Sequence, residues 1–366
     1  MTALALQNRD HDVVIDVGAS IGNHTVFSQE PVEEVPGLIG MDLVRLGLER
    51  GRDAREALEV IAALLEAHGQ GGAALGAGAS GYHNSFLIAD PEAAWLLETS
   101  GRRWAAKRVS LESVSNHMSL RADWQIGSRD LESFARAEGW WSGTGRVDLA
   151  AAYRNPHVPG FISEGRQGRA ARLLAAGDGA HDVLSLQCLL RDHGEGSAPG
   201  DGPPVDAASD DERYYTLCMH SEPVGTTTAS MVAALPVDRE APWPVWISFG
   251  NPCVGVFMPV YIDGVIPACL ARGEDEFEEG SSWWVFQRLQ EAAESDLSES
   301  VSILREGWSS LEEKVERERT AVESEARDLA LAGDRDAAGS LLSDFMARTV
   351  AQVMEHAEEL RARITR

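Results

Sequence analysis

Apolar residues recur at helical spacing over residues 38–68. Four of them occupy positions i, i+3, i+4 and i+7, which lie on one face of a helix: Leu58, Ile61, Ala62 and Leu65. Asp53 stands three residues before Glu56, as in an N-terminal capping arrangement, and Gly69 supplies a C-terminal stop. The pattern therefore predicts two helices that divide at residues 51–52.

Short apolar runs between turn residues follow and are typical of antiparallel strands. The predicted strands of the first block are residues 86–89, 95–99, 104–109 and 113–116. Helical spacing returns at residues 131–137, 168–175 and 183–191. A second block of strands is predicted at residues 214–220, 226–235, 245–249 and 255–261.

From residue 282 onward the chain is helical and charged, and apolar positions recur near heptad spacing. A pair of amphipathic helices that pack on the preceding domain explains this better than an intermolecular coiled coil, because the apolar stripe is short. Residues 194–212 are rich in Gly, Pro, Ser and Asp and are predicted to be a flexible acidic loop. We expect an α+β domain over residues 1–281 and C-terminal helices over residues 282–366.

Charge narrows the set of partners. The 366 residues include 58 acidic and 32 basic side chains, which give a formal net charge of −26. Such a charge repels nucleic acid and anionic membrane surfaces, so neither is an expected partner. Neither an apolar run long enough to span a bilayer nor a signal-peptide pattern is present, and the sequence predicts a cytoplasmic protein.

The four cysteines, Cys188, Cys218, Cys253 and Cys269, form no CxxC pair, so a zinc knuckle has no support and buried apolar side chains are expected. Cys218 and His220 point to the same face of a predicted strand. They are a candidate nucleophile and base, but adjacency on one strand is not triad geometry. Two core residues beside a pocket are the favoured interpretation.

A series of short runs, each weak alone, is spread in order over most of the chain: residues 40–46, 69–72, 82–91, 95–99, 114–116, 139–141, 190–193, 218–220, 227–231 and 282–284. In this order they resemble the secernin family of N-terminal-nucleophile hydrolases, which includes cysteine dipeptidases. The resemblance implies a four-layer αββα sandwich of two antiparallel sheets, followed here by a C-terminal helical extension. It also implies hydrolysis of small peptide or amide bonds, with amide acyl transfer as an alternative within the enzymes.

In that family the nucleophile is a cysteine at the processed N-terminus, and its own α-amino group is the base. The mechanism requires no metal and no organic cofactor. Asn116 and Asn23 resemble the asparagines that support the oxyanion, although an asparagine also commonly caps a turn. The resemblance places His83, Asn84 and His220 near the substrate.

One departure from the family is large. Neither the Cys-Asp-Thr-like first strand nor the Asn-Ser-Asp-Arg element occurs, and no cysteine precedes Cys188. Three explanations stay open: a missing N-terminal segment, a non-catalytic relative, or Thr2 as the nucleophile after removal of Met1. We therefore expect the chain as given to be inactive. The alternative is a non-catalytic binding protein that uses its C-terminal helices as a partner surface, and the oligomeric state is open.

Overall fold

The computed structural model describes residues 14–16, 24–26, 28–31, 37–71, 82–176, 181–195, 215–221, 225–235, 238, 240–274 and 276–365. The chain divides into two compact units, an N-terminal unit (Ala3–Gly179) and a C-terminal unit that is mainly Ala180–Arg366. Helices and antiparallel sheets occur in both, as the sequence predicts. The four-layer αββα arrangement and the domain boundary at residue 281 stay predictions.

The N-terminal unit contains a six-stranded antiparallel sheet. Its strands are β1 (Val14–Asp16), β2 (His24–Val26), β3 (His83–Ala89), β4 (Ala94–Ser100), β5 (Arg103–Val109) and β6 (Ile126–Gly127). The order is β1-β3-β4-β5-β6, and β2 pairs with the beginning of β3 whereas β1 pairs with its end. The predicted strand at residues 113–116 is wrong. The His117 N–H donates to the carbonyl of Ser115 at 2.8 Å, so the chain turns there instead of extending.

The helices of this unit are α1 (Gly40–Arg50), α2 (Ala54–His68), α3 (Leu131–Ala137), α4 (Leu149–Tyr153) and α5 (Glu164–Ala176). The predicted division between α1 and α2 is confirmed. The Asp53 carboxylate accepts a hydrogen bond from the Glu56 N–H at 2.8 Å, which caps α2. Gly69 ends α2 with a φ of 71°, a left-handed conformation that a glycine adopts without a Cβ penalty.

Both faces of the sheet are buried. Leu97 of β4 lies in a core with α1 and α2, whose largest members include Leu58, Ile61 and Phe86. Leu96, the preceding residue, lies in a second core with Leu120 and the residues around α3 and α4. Since neighbouring side chains of a strand point to opposite faces, helices and loops cover this sheet from both sides.

The C-terminal unit has smaller sheets. A three-stranded antiparallel sheet has the order β11-β10-β9, and β7 pairs with β8 in a two-stranded ribbon. The strands are β7 (His220–Ser221), β8 (Gly225–Thr226), β9 (Ala229–Ala233), β10 (Pro244–Phe249) and β11 (Met258–Tyr261). The long strand predicted at 214–220 is wrong for the described residues 215–219, and only residue 220 lies in a strand. There the N–H of Cys218 donates to the carbonyl of Asp192 at 3.0 Å rather than to a neighbouring strand.

The α-helices in the described part of this unit are α6 (Val183–Leu190), α7 (Ser282–Ala293), α8 (Leu297–Leu331) and α9 (Arg335–Ile364). Helices α8 and α9 form an antiparallel pair, since Lys314 of α8 meets Gln352 of α9 and Gly307 lies against Leu360. Trp308 of α8 is fully buried in the core beneath them. The predicted amphipathic helices are therefore present and pack within this unit.

Most of the loop predicted at residues 194–212 lies outside the described residues. Among the helices that the structure describes, none combines the length and the apolar character that a bilayer crossing requires.

Candidate functional site

Four side chains converge inside the C-terminal unit: His193, Cys218, His220 and Cys253. Each offers one nitrogen or sulfur atom, and these atoms all lie within 4.8 Å of one another. We call this set the Cys–His cluster. His193 follows α6, and Cys253 lies in the turn between β10 and β11. His220 is the first residue of β7, and Cys218 lies two residues before it.

His220 is at the centre of the Cys–His cluster. Its Nε2 lies 3.3 Å from Nε2 of His193, 3.5 Å from Sγ of Cys218 and 3.2 Å from Sγ of Cys253. Cys218 has no exposed surface, and both imidazole side chains are 4% exposed. The thiols are free, so no disulfide joins the two cysteines.

A glutamate carboxylate lies within hydrogen-bond distance of Nδ1 of each histidine. Nδ1 of His193 lies 2.9 Å from Oε1 of Glu195, and Nδ1 of His220 lies 2.9 Å from Oε1 of Glu294. Because each Nδ1 is engaged in this way, each ring turns its Nε2 toward the two sulfur atoms. The carboxylates thus fix the orientation of both rings.

Hydrogen bonds to backbone carbonyls join the three chain segments that carry the cluster. The Cys218 N–H donates to the Asp192 carbonyl, which joins the end of α6 to the start of β7. The Asn251 side chain donates to the carbonyl of Met219 at 2.7 Å, and its Nδ2 lies 3.9 Å from Sγ of Cys218. These contacts therefore bring the four nitrogen and sulfur atoms of the Cys–His cluster together.

The charge state of the cluster follows from these contacts. Burial raises the pKa of Cys218, but hydrogen bonds with Cys253, His193 and His220 outweigh it and bring that pKa well below its usual range. Burial lowers the pKa of His220, yet hydrogen bonds with Cys218 and Glu294 raise it to about 9. Burial and the neighbouring Cys218 raise the pKa of Cys253 well above its usual range. Of the two thiols, Cys218 is therefore the one that ionises more readily.

Such a thiolate is suited to two chemistries, attack on a carbonyl or binding of a metal ion. Attack needs access for a substrate, and Cys218 has no exposed surface. Binding an ion needs convergent donors in a closed shell, which the cluster provides. Its geometry is that of a binding site rather than of an open nucleophile.

A separate cleft of about 540 Å³ lies in the N-terminal unit. We call it the 107–167 cleft after its lining residues: Lys107, Glu112, His117, Met118, Ser119, Arg121, Ala150, Ala151, Arg154, Glu164 and Gln167. Asn116 immediately precedes one lining residue, is half-buried, and accepts a hydrogen bond at Oδ1 from Nη2 of the buried Arg166 at 2.6 Å. This contact fixes the orientation of the Asn116 carboxamide.

Glu98 contacts Ser119, one of the residues that line the 107–167 cleft. Its buried carboxylate accepts hydrogen bonds from the backbone N–H groups of Ser119 and Leu120, at 2.7 and 3.0 Å, and from the Ser119 hydroxyl at 2.8 Å. Burial raises the pKa of Glu98 to about 7 in spite of these donors. No site role is predicted for Glu98 from the sequence, because a glutamate within a strand does not reveal from its type that it faces the core.

His83 and Asn84 lie at the beginning of β3. Nδ1 of His83 accepts a hydrogen bond from the Gly101 N–H at 2.8 Å, and Nε2 lies 2.9 Å from the carbonyl of Glu30, to which it donates. Burial lowers the pKa of His83 to about 4, so the ring is neutral. Asn84 donates to Gln70 at 2.8 Å. Neither residue is among those that line the 107–167 cleft, and their substrate roles stay predictions.

The remaining predicted residues fall in different places. Asn23 and Thr2 lie outside the described residues. His220 belongs to the Cys–His cluster, together with the Cys218 that the sequence placed on the same face. His193, Cys253 and the two glutamates were missed, because His193 and Cys253 stand 27 and 33 residues from His220 and form no short motif. The only local signal was the Cys-x-His run itself.

Comparison with known families gives a match in the N-terminal part of the chain. The model of peptidase family C69 matches residues 8–155. The match covers the six-stranded sheet, α1 to α4, Asn116 and most of the lining of the 107–167 cleft. The Cys–His cluster lies beyond it. The resemblance to the secernin and dipeptidase-A family that the sequence predicted is thus confirmed by a match of residues 8–155 to peptidase family C69.

Proposed function

We propose that this protein is a peptidase of small peptide or amide bonds, above all those of dipeptides. The observation that carries the proposal is the match of residues 8–155 to a peptidase family. The 107–167 cleft in this segment is the proposed substrate site. Its volume of about 540 Å³ falls within the range of small-molecule sites, which is about 300–1,000 Å³.

The charges around the cleft support a dipeptide as the substrate. Lys107 and Arg154 supply positive charge to its lining, and Glu112 and Glu164, with which they form ion pairs, supply negative charge. A free dipeptide carries an ammonium group at one end and a carboxylate at the other. A cleft with both signs of charge can bind both ends, which a purely basic or purely acidic cleft cannot do.

Asn116 is the proposed oxyanion donor. The hydrogen bond from Arg166 fixes the orientation of the Asn116 carboxamide. Its amide N–H groups are the proposed donors to the tetrahedral intermediate. By resemblance to the family, a cysteine at the processed N-terminus attacks the substrate carbonyl, and its α-amino group accepts the thiol proton. The first cysteine of this sequence is Cys188, so residues 1–187 contain no cysteine for this mechanism. The four-layer αββα arrangement is part of the same proposal.

The proposal predicts both binding and hydrolysis of dipeptides. Isothermal titration calorimetry measures binding, and a hydrolysis assay with a panel of dipeptides measures turnover. We expect the chain to bind dipeptides, and Arg154→Gln to weaken that binding at least tenfold because one charge of the cleft is lost. Asn155→Ala, a change beside the cleft lining, is the matched control and should bind as the wild type does.

In a form that carries the N-terminal cysteine, Asn116→Ala is expected to lower kcat by about 10²–10³ with little change in KM, because the oxyanion contact is made only in the transition state. Absence of dipeptide binding, or turnover that Asn116→Ala leaves intact, would contradict the proposal. Tight binding without turnover in every form would favour the non-catalytic alternative.

A further inference from the structure

We propose that His193, Cys218, His220 and Cys253 bind one zinc ion in tetrahedral coordination. The ligands are Nε2 of both histidines and Sγ of both cysteines. This site lies in the C-terminal unit, outside the residues that match the peptidase family. Its function is separate from hydrolysis: the ion joins three segments of this unit that are far apart in the sequence.

The distances match those of a zinc site. For Zn–N bonds of about 2.05 Å and Zn–S bonds of about 2.3 Å, two nitrogen corners of a regular tetrahedron lie about 3.3 Å apart, and a nitrogen and a sulfur corner about 3.6 Å apart. The two Nε2 atoms are 3.3 Å apart, and His220 Nε2 lies 3.5 and 3.2 Å from the two sulfur atoms. These three of the six edges are therefore within about 0.4 Å of the ideal values, and all six are shorter than 4.8 Å.

The outer contacts match as well. A metal-binding histidine usually gives its second ring nitrogen to a carboxylate or carbonyl, which fixes the tautomer and the ring orientation. Both histidines show this arrangement, with Glu195 and Glu294 each 2.9 Å from the Nδ1 atom concerned. Asn251 also brings a side-chain N–H group near Sγ of Cys218, as donors do around metal-bound thiolates.

The donor set selects the metal. Two thiolates and two imidazoles in a tetrahedral arrangement are typical of zinc, whereas Ca²⁺ and Mg²⁺ prefer oxygen ligands. Four protein ligands fill the coordination shell, and burial of Cys218 and Cys253 excludes a substrate from it. A closed shell of this kind is typical of structural zinc rather than of catalytic zinc, which keeps one position for water.

The function of the ion follows from where its ligands lie. One comes from the segment after α6, two from residues 218–220 at the entry to β7, and one from the turn between β10 and β11. The ribbon β7–β8 has only two residues in each strand, which is too short to hold these segments by sheet pairing alone. A zinc ion bound to all three would fix them against the core that contains Cys218, Cys253 and Trp308.

The test measures metal content by mass spectrometry in the full chain purified without chelators. One zinc per chain is expected in the wild type. Cys218→Ser and Cys253→Ser are each expected to lower it at least tenfold. Cys188→Ser and Cys269→Ser, at the two cysteines outside the cluster, are the matched controls and should keep one zinc per chain.

A second measurement covers the case in which the cysteine variants fail to fold. Glu294→Gln keeps all four ligands and is expected to weaken zinc binding by about 10–100-fold, as loss of an outer-shell partner does. Replacement of zinc by Co²⁺ should give thiolate-to-cobalt charge-transfer absorption and the visible bands of a tetrahedral site.

Three results would overturn the proposal: wild-type protein that neither contains zinc nor takes it up when Zn²⁺ is added, equal zinc loss in the control variants, or a cobalt spectrum without thiolate bands. None of these measurements depends on dipeptide turnover. Failure of the zinc proposal and failure of the proposed peptidase function are therefore distinguishable.

Discussion

The two units of this protein bury polar groups in different ways. In the N-terminal unit, Glu98 and His83 are buried, and their polar atoms meet backbone N–H and carbonyl groups. In the C-terminal unit, His193, Cys218, His220 and Cys253 direct one atom each toward a common point. Burial is similar in both places, but the partners differ.

This difference distinguishes buried polar groups that stabilise the fold from buried groups that can bind a ligand. A buried polar side chain that is satisfied by backbone groups joins elements of the fold, and its requirements are met within the protein. Four donor atoms that face one another, while carboxylates occupy the outer nitrogens, have a geometry that a metal ion completes. The first arrangement predicts effects on stability and pH dependence, and the second predicts a ligand.

Removal of metal gives the largest expected effect and separates the two units most clearly. Treatment with a strong chelator should destabilise the C-terminal unit by roughly 5 kcal/mol or more, since structural zinc contributes about 10–16 kcal/mol in small zinc domains. Hydrogen exchange followed by mass spectrometry should show faster exchange around residues 188–193, 218–221 and 251–258 and little change in β3 to β5. Equal loss of protection from exchange in both units would contradict a metal site that stabilises only the C-terminal unit.

His83→Leu tests the architectural role in the N-terminal unit. The change leaves the Gly101 N–H and the Glu30 carbonyl without their partner, and each such buried group costs about 1–3 kcal/mol, so we expect a loss of roughly 4 kcal/mol. Urea unfolding measures it, with the exposed His157→Leu as the control. Zinc content should not change.

The pH dependence of this variant has a defined sign. The pKa of His83 is about 4 in the folded protein and 6.5 in the reference state, so the unfolded chain binds the proton first as the pH falls. The contribution of His83 to stability is therefore present above pH 6.5 and is lost as the pH falls through 4. The destabilisation by His83→Leu should shrink over that window.

Glu98 has the opposite sign. Its pKa is about 7 in the folded protein and 4.5 in the reference state, so the unfolded chain loses the proton first as the pH rises. Stability should fall from pH 4.5 to 7 by up to about 3 kcal/mol. Comparing Glu98→Gln with the wild type at pH 5 and pH 8 isolates this effect, because glutamine does not titrate. The difference between the two proteins should shift in favour of the variant at the higher pH, and a constant difference would show that Glu98 does not titrate as expected.

The smallest expected effect is that of the helix cap. Asp53→Ala removes the acceptor for the Glu56 N–H and should destabilise the N-terminal unit by about 1 kcal/mol. Asp53→Asn retains an acceptor oxygen and should restore most of the loss. Thermal unfolding with both variants measures the cap, and a loss well above 2 kcal/mol would indicate a further role for Asp53.

The sequence determined the parts of the fold that depend on local chemistry. Apolar spacing, the Asp53 cap and the Gly69 stop define α2, and residues 131–137 form α3 as predicted. The first three predicted strands are present as β3, β4 and β5, because strand residues and turn residues alternate there without competing contacts. The order of short matching runs was enough to indicate the family of residues 8–155.

Only the tertiary structure decided the rest. A hydrogen bond from Cys218 to Asp192 replaces the strand predicted before His220, and this pairing joins residues that no local pattern connects. The same long-range contacts bring His193 and Cys253 to His220 across 27 and 33 residues of chain. The sequence contained every ligand of the proposed zinc site, but convergence depends on how separate segments pack. Residue types and their spacing along the chain do not predict how distant segments pack against one another.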